Sequence, residues 1–307
     1  MTASAELSRW AGVFTALVTP FRDGALDLAA FDALVERQLA AGIAGLVPVG
    51  TTGEAATLAD TESRALIERC VEAARGRAMV VAGAGGNDTA RTVEKVRAAE
   101  EAGADAVLVV TPYYNKPSQA GLLAHYGAVA GATGLPVMLY SVPGRTGVEI
   151  APETCARLME AHANVRVIKE AGGSVERVTR LRAACGADLV IHSGDDALTL
   201  PFLALGAAGV TSVVSNLLPE AVVALVEAWR RGDRAEALRL HEALAEVTAA
   251  MFVESNPAPV KDALAHRGLM TPELRLPLAP VTPTSHATIV AAVARAVDLP
   301  GTRGLAA

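Results

Sequence analysis

Short apolar runs rich in β-branched residues alternate along the chain with amphipathic, alanine-rich segments that carry arginine and glutamate. The apolar runs are continuous, a pattern typical of parallel strands that are covered on both faces. Their starts recur about every 20 to 33 residues, the spacing of a repeated βα unit. Eight such units predict an α/β fold that closes into a (β/α)8 barrel (TIM barrel), with a doubly wound open sheet as the alternative. The eight predicted strands are Gly12–Phe21, Gly45–Gly50, Ala78–Gly85, Ala106–Tyr113, Pro136–Pro143, Val165–Ala171, Asp188–Asp195 and Gly209–Asn216.

Helical patterns lie between the predicted strands, and only helical patterns follow the eighth strand. Several of them begin with Asp, Ser or Thr at the N-cap position. We predict a catalytic barrel with a short N-terminal lead over residues 1–231. A C-terminal helical extension over residues 232–307 is expected to pack on the barrel or on a neighbouring subunit. The predicted helices are Leu28–Ala41, Thr61–Arg75, Asp88–Ala102, Gln119–Ala132, Pro219–Arg231, Arg234–Glu254, Pro257–Arg267 and Ser285–Val297.

Composition narrows the class of protein. A hydrophobic content of 51% is enough for one large core, and a net charge of −6 argues against nucleic acid or an acidic membrane as the main partner. The three cysteines form no Cys-x-x-Cys pair, which indicates a reducing compartment without a disulfide framework or a zinc site. Glu6 and Arg9 interrupt the first dozen residues, and no apolar stretch is long enough to span a bilayer. We therefore expect a cytoplasmic protein.

Lys169 is the most informative single residue. It lies near the end of the apolar run Val165–Glu170 and is one of only four lysines in the chain. An amine at the end of a buried strand loses hydration, which favours the neutral form that can attack a carbonyl. The alternative is a structural lysine whose stem packs while its ammonium group reaches water.

Other reactive side chains also follow predicted strands, and active sites of (β/α)8 barrels lie at the C-terminal ends of the strands. Each of them has a structural alternative. Tyr140 could simply line the interior, Thr51 and Thr52 could cap the next helix, and Arg145 could lie in a solvated turn. Asp195 and Asp196 resemble a metal-binding pair, but a helix cap explains them better. The strand-end segments are Gly50–Glu54, Thr111–Asn115, Tyr140–Arg145, Lys169–Glu170 and Ser193–Asp196.

Six motifs, in consistent order and spacing, resemble the dihydrodipicolinate synthase family, which also includes N-acetylneuraminate lyase. The resemblance extends from about Gly12 to Pro283. It rests on the combination of motifs, since none of them is specific alone. The motifs are Gly50–Glu54, Thr111–Asn115, Tyr140–Gly147, Ile168–Ala171, Ser193–Asp196 and Asn256–Lys261.

The resemblance implies a class I, Schiff-base-forming lyase that condenses pyruvate with L-aspartate-4-semialdehyde in diaminopimelate and lysine biosynthesis. On this interpretation Lys169 attacks the pyruvate ketone to form an imine, and Tyr140 is the general acid and base. No separate cofactor is implied, because the covalent lysine–pyruvate imine itself acts as the electron sink.

The resemblance also implies the substrate contacts. Thr51 and Thr52 match the loop that binds the pyruvate carboxylate, and Arg145 matches the arginine that binds the carboxylate of the aldehyde. Gly194 and Thr211 match positions that line the pyruvate pocket. The family usually has isoleucine where Thr211 stands, so any role of Thr211 is expected to belong to its backbone.

Tyr114 carries an implication for assembly. Together with Thr52 it matches a proton relay, and the family takes the tyrosine at this position from the adjacent subunit. The resemblance therefore implies a homo-oligomer in which at least a dimer is needed for the active site, and the family is usually homotetrameric.

Five positions match the lysine-binding effector pocket of the inhibited family members, and four of them depart from it while Asn87 keeps the asparagine. A glutamate of that pocket is replaced by Arg91, which would repel the α-ammonium group of lysine. We therefore expect feedback inhibition by lysine to be weak or absent. The five positions read Ala55, Asp60, Ser63, Asn87 and Arg91.

Other functions stay open on the sequence alone. Pyruvate-dependent aldolases or dehydratases of the same family act on 2-keto-3-deoxy sugar acids or N-acetylneuraminate, although Arg145 and the Thr51–Thr52 pair favour a carboxylated aldehyde. A metal-dependent aldolase or hydrolase is disfavoured because the six histidines form no ligand-spaced pair. The glycine-rich segment Gly83–Gly86 lacks the spacing of a phosphate-binding loop. A non-catalytic barrel would not need Lys169 and Tyr140 together.

Overall fold

A computed structural model describes residues 8–296 and 299–301. Eight parallel strands form a closed barrel in which each strand pairs with the next one along the chain and the last pairs with the first. The predicted barrel is confirmed, and the open doubly wound sheet is wrong. The strands are β1 (Gly12–Ala16), β2 (Gly45–Val47), β3 (Met79–Gly83), β4 (Ala106–Val110), β5 (Val137–Ser141), β6 (Val165–Glu170), β7 (Val190–Ser193) and β8 (Gly209–Ser212).

All eight strands are shorter than predicted, because the apolar runs continue into the loops at the barrel mouth. The first run shows the reason. Its strand ends at Ala16, and the later residues Phe21–Arg22 pair with Ala25–Leu26 in a separate antiparallel hairpin. In this segment, hydrophobic character therefore indicates which residues are buried, but it does not indicate where the strand ends.

Helices alternate with the strands and then continue alone. Side-chain caps begin five of them, at Asp27, Asp88, Ser118, Asp233 and Thr282. The helix predicted as Ser285–Val297 is described over Pro283–Arg295, and Val297 lies outside the described residues. The helices are α1 (Leu28–Ala40), α2 (Asp60–Ala74), α3 (Thr89–Glu101), α4 (Gln119–Ala130), α5 (Pro143–Thr146), α6 (Pro152–Ala161), α7 (Glu176–Cys185), α8 (Thr199–Ala204), α9 (Pro219–Arg230), α10 (Arg234–Ala250), α11 (Ala258–His266) and α12 (Pro283–Arg295).

Two apolar layers surround the sheet. The larger one lies between the strands and the helices, and the smaller one fills the barrel interior. In the interior, Trp10 stacks on Phe14 with ring centroids 5.7 Å apart. A Cβ atom at Gly45 would stand 2.1 Å from the Phe14 ring, so this position has no room for a side chain. The barrel is thus a packed core that supports a site at its mouth.

The described residues after α9 pack on the barrel of the same chain. Helix α10 packs on α9, and α12 packs on both α10 and α11. Buried Lys261 forms an ion pair with Glu54, and Arg275 forms one with Glu62. The division into residues 1–231 and 232–307 stays a prediction, and residues 1–7, 297–298 and 302–307 of those ranges lie outside the described residues. None of the described helices has the length and apolar character needed to cross a bilayer.

Candidate active site

Lys169 is the penultimate residue of β6 and lies inside the barrel mouth. Its neighbours across the sheet are Tyr140 on β5 and His192 on β7. Only 5% of Lys169 is exposed, and its Nζ atom lies 4.4 Å from the centroid of the Tyr140 ring. The alternative in which the ammonium group reaches bulk water is therefore wrong. The structure places an amine next to a phenol in a confined space.

A cavity of about 510 Å³ opens over this lysine. A volume of this size suits small-molecule substrates. Its wall also includes a face of helix α10, from the C-terminal extension. Six of the eight site residues predicted from the sequence line it, and they are Thr51, Thr52, Tyr140, Arg145, Lys169 and Gly194.

The loop after β2 contributes the two threonines. Thr52 is buried, and its Oγ1 atom accepts a hydrogen bond of 2.9 Å from Nδ2 of Asn256. Thr51 is exposed at the cavity edge. Helix α2 begins only at Asp60, so the alternative that these threonines cap it is wrong. Both threonines instead line the cavity.

Arg145 lies in α5, the short helix that follows β5. Its Nη2 atom donates a hydrogen bond of 3.4 Å to the main-chain oxygen of Asn256. The residue is exposed and lines the same cavity as Lys169. A planar guanidinium there can bind a carboxylate through two parallel hydrogen bonds.

Gly194 follows β7 and packs directly on the lysine stem. A Cβ atom built on it would lie 2.6 Å from Cβ of Ala171 and 3.0 Å from Cε of Lys169. The absence of a side chain therefore lets the β7 loop close over the lysine, and the loop backbone becomes part of the cavity wall.

Two predicted residues lie elsewhere. Tyr114 is 89% exposed and has a φ of 73°, which is uncommon outside glycine, and it is not part of the described cavity wall. Thr211 is buried on β8, and its hydroxyl group is 3.2 Å from Nδ1 of His192. The Thr211 side chain therefore contacts the core beneath the cavity.

His192 is a residue whose position the sequence analysis did not anticipate. Its Nε2 atom lies 2.6 Å from the main-chain oxygen of Trp10, so this nitrogen carries the hydrogen that is donated. Burial lowers the pKa of His192 to about 4, and the positive charge of Lys169 acts in the same direction. The histidine is therefore neutral near pH 7. Its position opposite Lys169 follows from strand register, which a single sequence does not reveal.

Of the two aspartates after β7, Asp195 caps the following turn as predicted, whereas Asp196 does not and instead bonds to residues on and after β8. An Asp195 carboxylate oxygen accepts from the Ala197 amide at 3.0 Å, at the start of a 3-10 turn. Asp196 is buried and accepts from Ser212 Oγ and from the Val213 amide. Among residues 8–296 and 299–301, no group of three or more His, Cys, Asp or Glu side chains is arranged to bind a metal ion.

Fold and site together define a (β/α)8-barrel enzyme of the class that carries a buried lysine beside a tyrosine at the barrel mouth. Comparison with known proteins is more specific. The sequence model described as the dihydrodipicolinate synthetase family matches residues 9–296, and the chain belongs to this family.

Individual relatives are similar to this chain along almost its whole length. The 4-hydroxy-tetrahydrodipicolinate synthase of Pelobacter propionicus is 49% identical over 280 residues, which are 91% of this chain and 96% of that protein. The solved structure of the 4-hydroxy-tetrahydrodipicolinate synthase from Methylacidiphilum fumariolicum SolV is 46% identical with a TM-score of 0.93, over 97% of this chain and 99% of that one. A structure described as the first monomeric dihydrodipicolinate synthase variant is 40% identical with a TM-score of 0.92, over 94% and 98% of the two chains.

Proposed function

We propose that this chain is an aldolase-type lyase that condenses pyruvate with L-aspartate-4-semialdehyde to 4-hydroxy-tetrahydrodipicolinate, on the route to diaminopimelate and lysine. The observation that carries the proposal is the buried amine of Lys169 against the Tyr140 ring, in a cavity that also contains Thr52 and Arg145. The names of the relatives support this reaction over the sugar-acid and N-acetylneuraminate alternatives.

Lys169 supplies the nucleophile. Its neutral amine adds to the ketone carbon of pyruvate, and the carbinolamine loses water to give a protonated imine. The imine nitrogen accepts the electron pair that is released when the methyl group loses a proton. The resulting enamine carbon attacks the aldehyde carbon, and the new alkoxide takes up a proton. The amino group of the aldehyde substrate then adds to the imine carbon and expels the lysine amine, which closes the ring and frees Lys169. Tyr140, whose ring lies against Nζ, is positioned to transfer these protons.

Two regions of the cavity bind the two carboxylates. The hydroxyl groups of Thr51 and Thr52 meet the carboxylate of pyruvate beside Lys169, and the guanidinium of Arg145 meets that of the aldehyde. Gly194 and the backbone near Thr211 complete the pyruvate side. No bound cofactor enters the reaction, because the imine is the electron sink.

The proton path requires a second subunit. Tyr114 belongs to the relay with Thr52, and its nearly complete exposure supports insertion into the site of a partner copy. A dimer is therefore the smallest active unit, and a homotetramer in the cytoplasm is the proposed state.

Reductive trapping tests the proposal. Sodium borohydride with pyruvate should leave a 1-carboxyethyl group on the Lys169 amine, located by peptide mass mapping, and the Lys169→Ala variant should remain unlabelled while it keeps its circular dichroism spectrum. Turnover with aspartate semialdehyde should exceed turnover with pyruvate and a sugar aldehyde. Labelling elsewhere, or no labelling, contradicts the proposed mechanism.

A further inference from the structure

Three consecutive residues of the β2 loop are each fixed by a side chain from another part of the chain. Oγ1 of Thr52 accepts from Asn256 Nδ2 at 2.9 Å, and the Gly53 carbonyl accepts from Thr19 Oγ1 at 2.7 Å. A carboxylate oxygen of Glu54 accepts from Lys261 Nζ at 2.6 Å. Two of these contacts come from the C-terminal extension, which lies about 200 residues further along the chain.

The contact between Lys261 and Glu54 is a fully buried ion pair, with 0% side-chain exposure for both residues. Lys261 also donates to the Thr19 carbonyl at 2.9 Å, and the second carboxylate oxygen of Glu54 accepts from the Arg275 amide at 3.0 Å. Each charge therefore has more than one partner. Removal of one member would leave an uncompensated charge in the interior.

The backbone of Glu54 adopts a conformation that is rare for its residue type. Its φ is 56°, in the left-handed region that favours glycine. Such a conformation persists only where surrounding contacts impose it. The bonds from Lys261 and Arg275 provide those contacts, and the residue lies two positions after Thr52. The ion pair therefore shapes the loop that carries the predicted carboxylate-binding hydroxyl groups.

Asn256 forms hydrogen bonds with a residue in each of the two regions that are proposed to bind substrate. Because its amide group donates to Thr52 Oγ1, the hydroxyl hydrogen of Thr52 points in another direction, and Thr52 lines the cavity. The main-chain oxygen of Asn256 accepts from Arg145. Asn256 thus orients Thr52 at the pyruvate side of the cavity and Arg145 at the aldehyde side.

We propose that Asn256 and Lys261 are positioning residues, through which the C-terminal extension sets the geometry of the pyruvate-binding loop and hence the affinity for pyruvate. This inference rests on the proposed function. Neither residue needs to touch pyruvate. Lys261 acts through Glu54 on the loop backbone, and Asn256 acts through the hydroxyl group of Thr52.

Steady-state kinetics of three variants tests the inference at a temperature well below each melting temperature. The double variant Glu54→Gln/Lys261→Met removes both charges at similar volume and keeps an acceptor for the Arg275 amide. We expect its KM for pyruvate to rise about tenfold or more with a smaller change in kcat, since the loop is folded but no longer fixed. Asn256→Ala should raise the same KM at least severalfold. Arg295→Met breaks the exposed pair of Arg295 with Glu246 in the same extension and should change neither parameter.

Wild-type trapping and turnover are measured first, so that a failure of the proposed function is recognised before any variant is interpreted. With an active wild type, an unchanged KM for pyruvate in both test variants overturns the inference. A lower melting temperature without a higher KM also overturns it, because the contacts would then be structural only. If the double variant does not fold, the KM of Asn256→Ala for pyruvate decides, and an unchanged KM overturns the inference.

Discussion

Lys169 and its closest neighbours show how much a single position can be constrained. Its amine lies against the Tyr140 ring, its stem packs on Gly194, and neutral His192 is its register partner on β7. A flexible lysine side chain would otherwise sample many rotamers. Packing on these sides confines the amine to the cavity, and orientation of a nucleophile is a large contribution to catalysis.

The space around Gly194 leads to the first prediction at this scale. Gly194→Ala should push Lys169 or Ala171 from its position, because the new methyl group would stand within 3.0 Å of both side chains. We expect a cost of about 1–3 kcal/mol in the free energy of unfolding, and a loss of at least tenfold in kcat/KM. Gly144→Ala is the matched control, since Gly144 has no atom within 4 Å of a built Cβ and lies beside Arg145. Equal activity of the two variants would contradict the prediction.

The sequence predicted the reactive side chains of the site better than it predicted the residues that surround them. Lys169 stood out because it ends an apolar run in a chain with few lysines, and this follows from local pattern alone. His192 and Asn256 did not stand out as site residues. Their positions depend on the register between β6 and β7, and on the path of the chain after α10, which are properties of the closed fold.

Strands and helices were predictable to the extent that periodicity determines them. All eight strands were predicted, because burial on both faces requires continuous apolar runs. Their ends were not, since the same apolar character continues into Val49 and Val142, beyond the ladder. One alternative from the sequence was that the loop after β2 only caps the next helix. It is a separate turn, fixed by tertiary contacts.

Strand β7 carries a prediction about pH. His192 has a pKa of about 4 in the folded protein, whereas an unfolded histidine titrates near 6.5. Between pH 4 and pH 6.5 the unfolded state binds more protons than the folded state. The stability that depends on neutral His192 is therefore fully present above pH 6.5 and is lost as the pH falls toward 4. The difference corresponds to about 3 kcal/mol. Below pH 4 this histidine causes no further loss.

Urea unfolding of the wild type and of His192→Gln between pH 7.5 and 4 measures this contribution. We expect the variant to be less stable at pH 7.5, since it disturbs the bonds to Trp10 and Thr211. Its free energy of unfolding should decline less with acid than that of the wild type. Parallel pH curves for the two proteins would show that His192 is not the group responsible.

At the scale of the whole molecule, the barrel and the extension build the cavity together. The cavity wall combines loops from several strands with a face of α10, and the extension contacts the loop of β2 through Asn256 and Lys261. Order of elements could be predicted from the sequence, and so could the presence of an extension. Contacts between residues about 200 positions apart could not, because one sequence contains no record of which distant positions meet.

A second cavity, of about 450 Å³, supports a prediction on regulation. The five positions that match the family's lysine-binding pocket, four of which depart from it, all line this one cavity, which confirms that they are neighbours in space. Arg91 there has Glu94 as an exposed partner at 3.3 Å. The predicted consequence is that an incoming lysine meets a cation where inhibited relatives present an anion.

Inhibition assays with L-lysine test this consequence directly. The wild type should keep most of its activity at millimolar L-lysine, and calorimetry should detect no tight binding. Arg91→Glu should strengthen lysine binding at least tenfold, because a charge reversal in a confined pocket replaces repulsion by attraction. The control is Arg97→Glu, which makes the same change of charge on helix α3 at an exposed position outside the described wall of this cavity. An inhibition constant for L-lysine below the millimolar range in the wild type would contradict the prediction, and equal effects of the two variants would assign it to net charge instead of to the pocket.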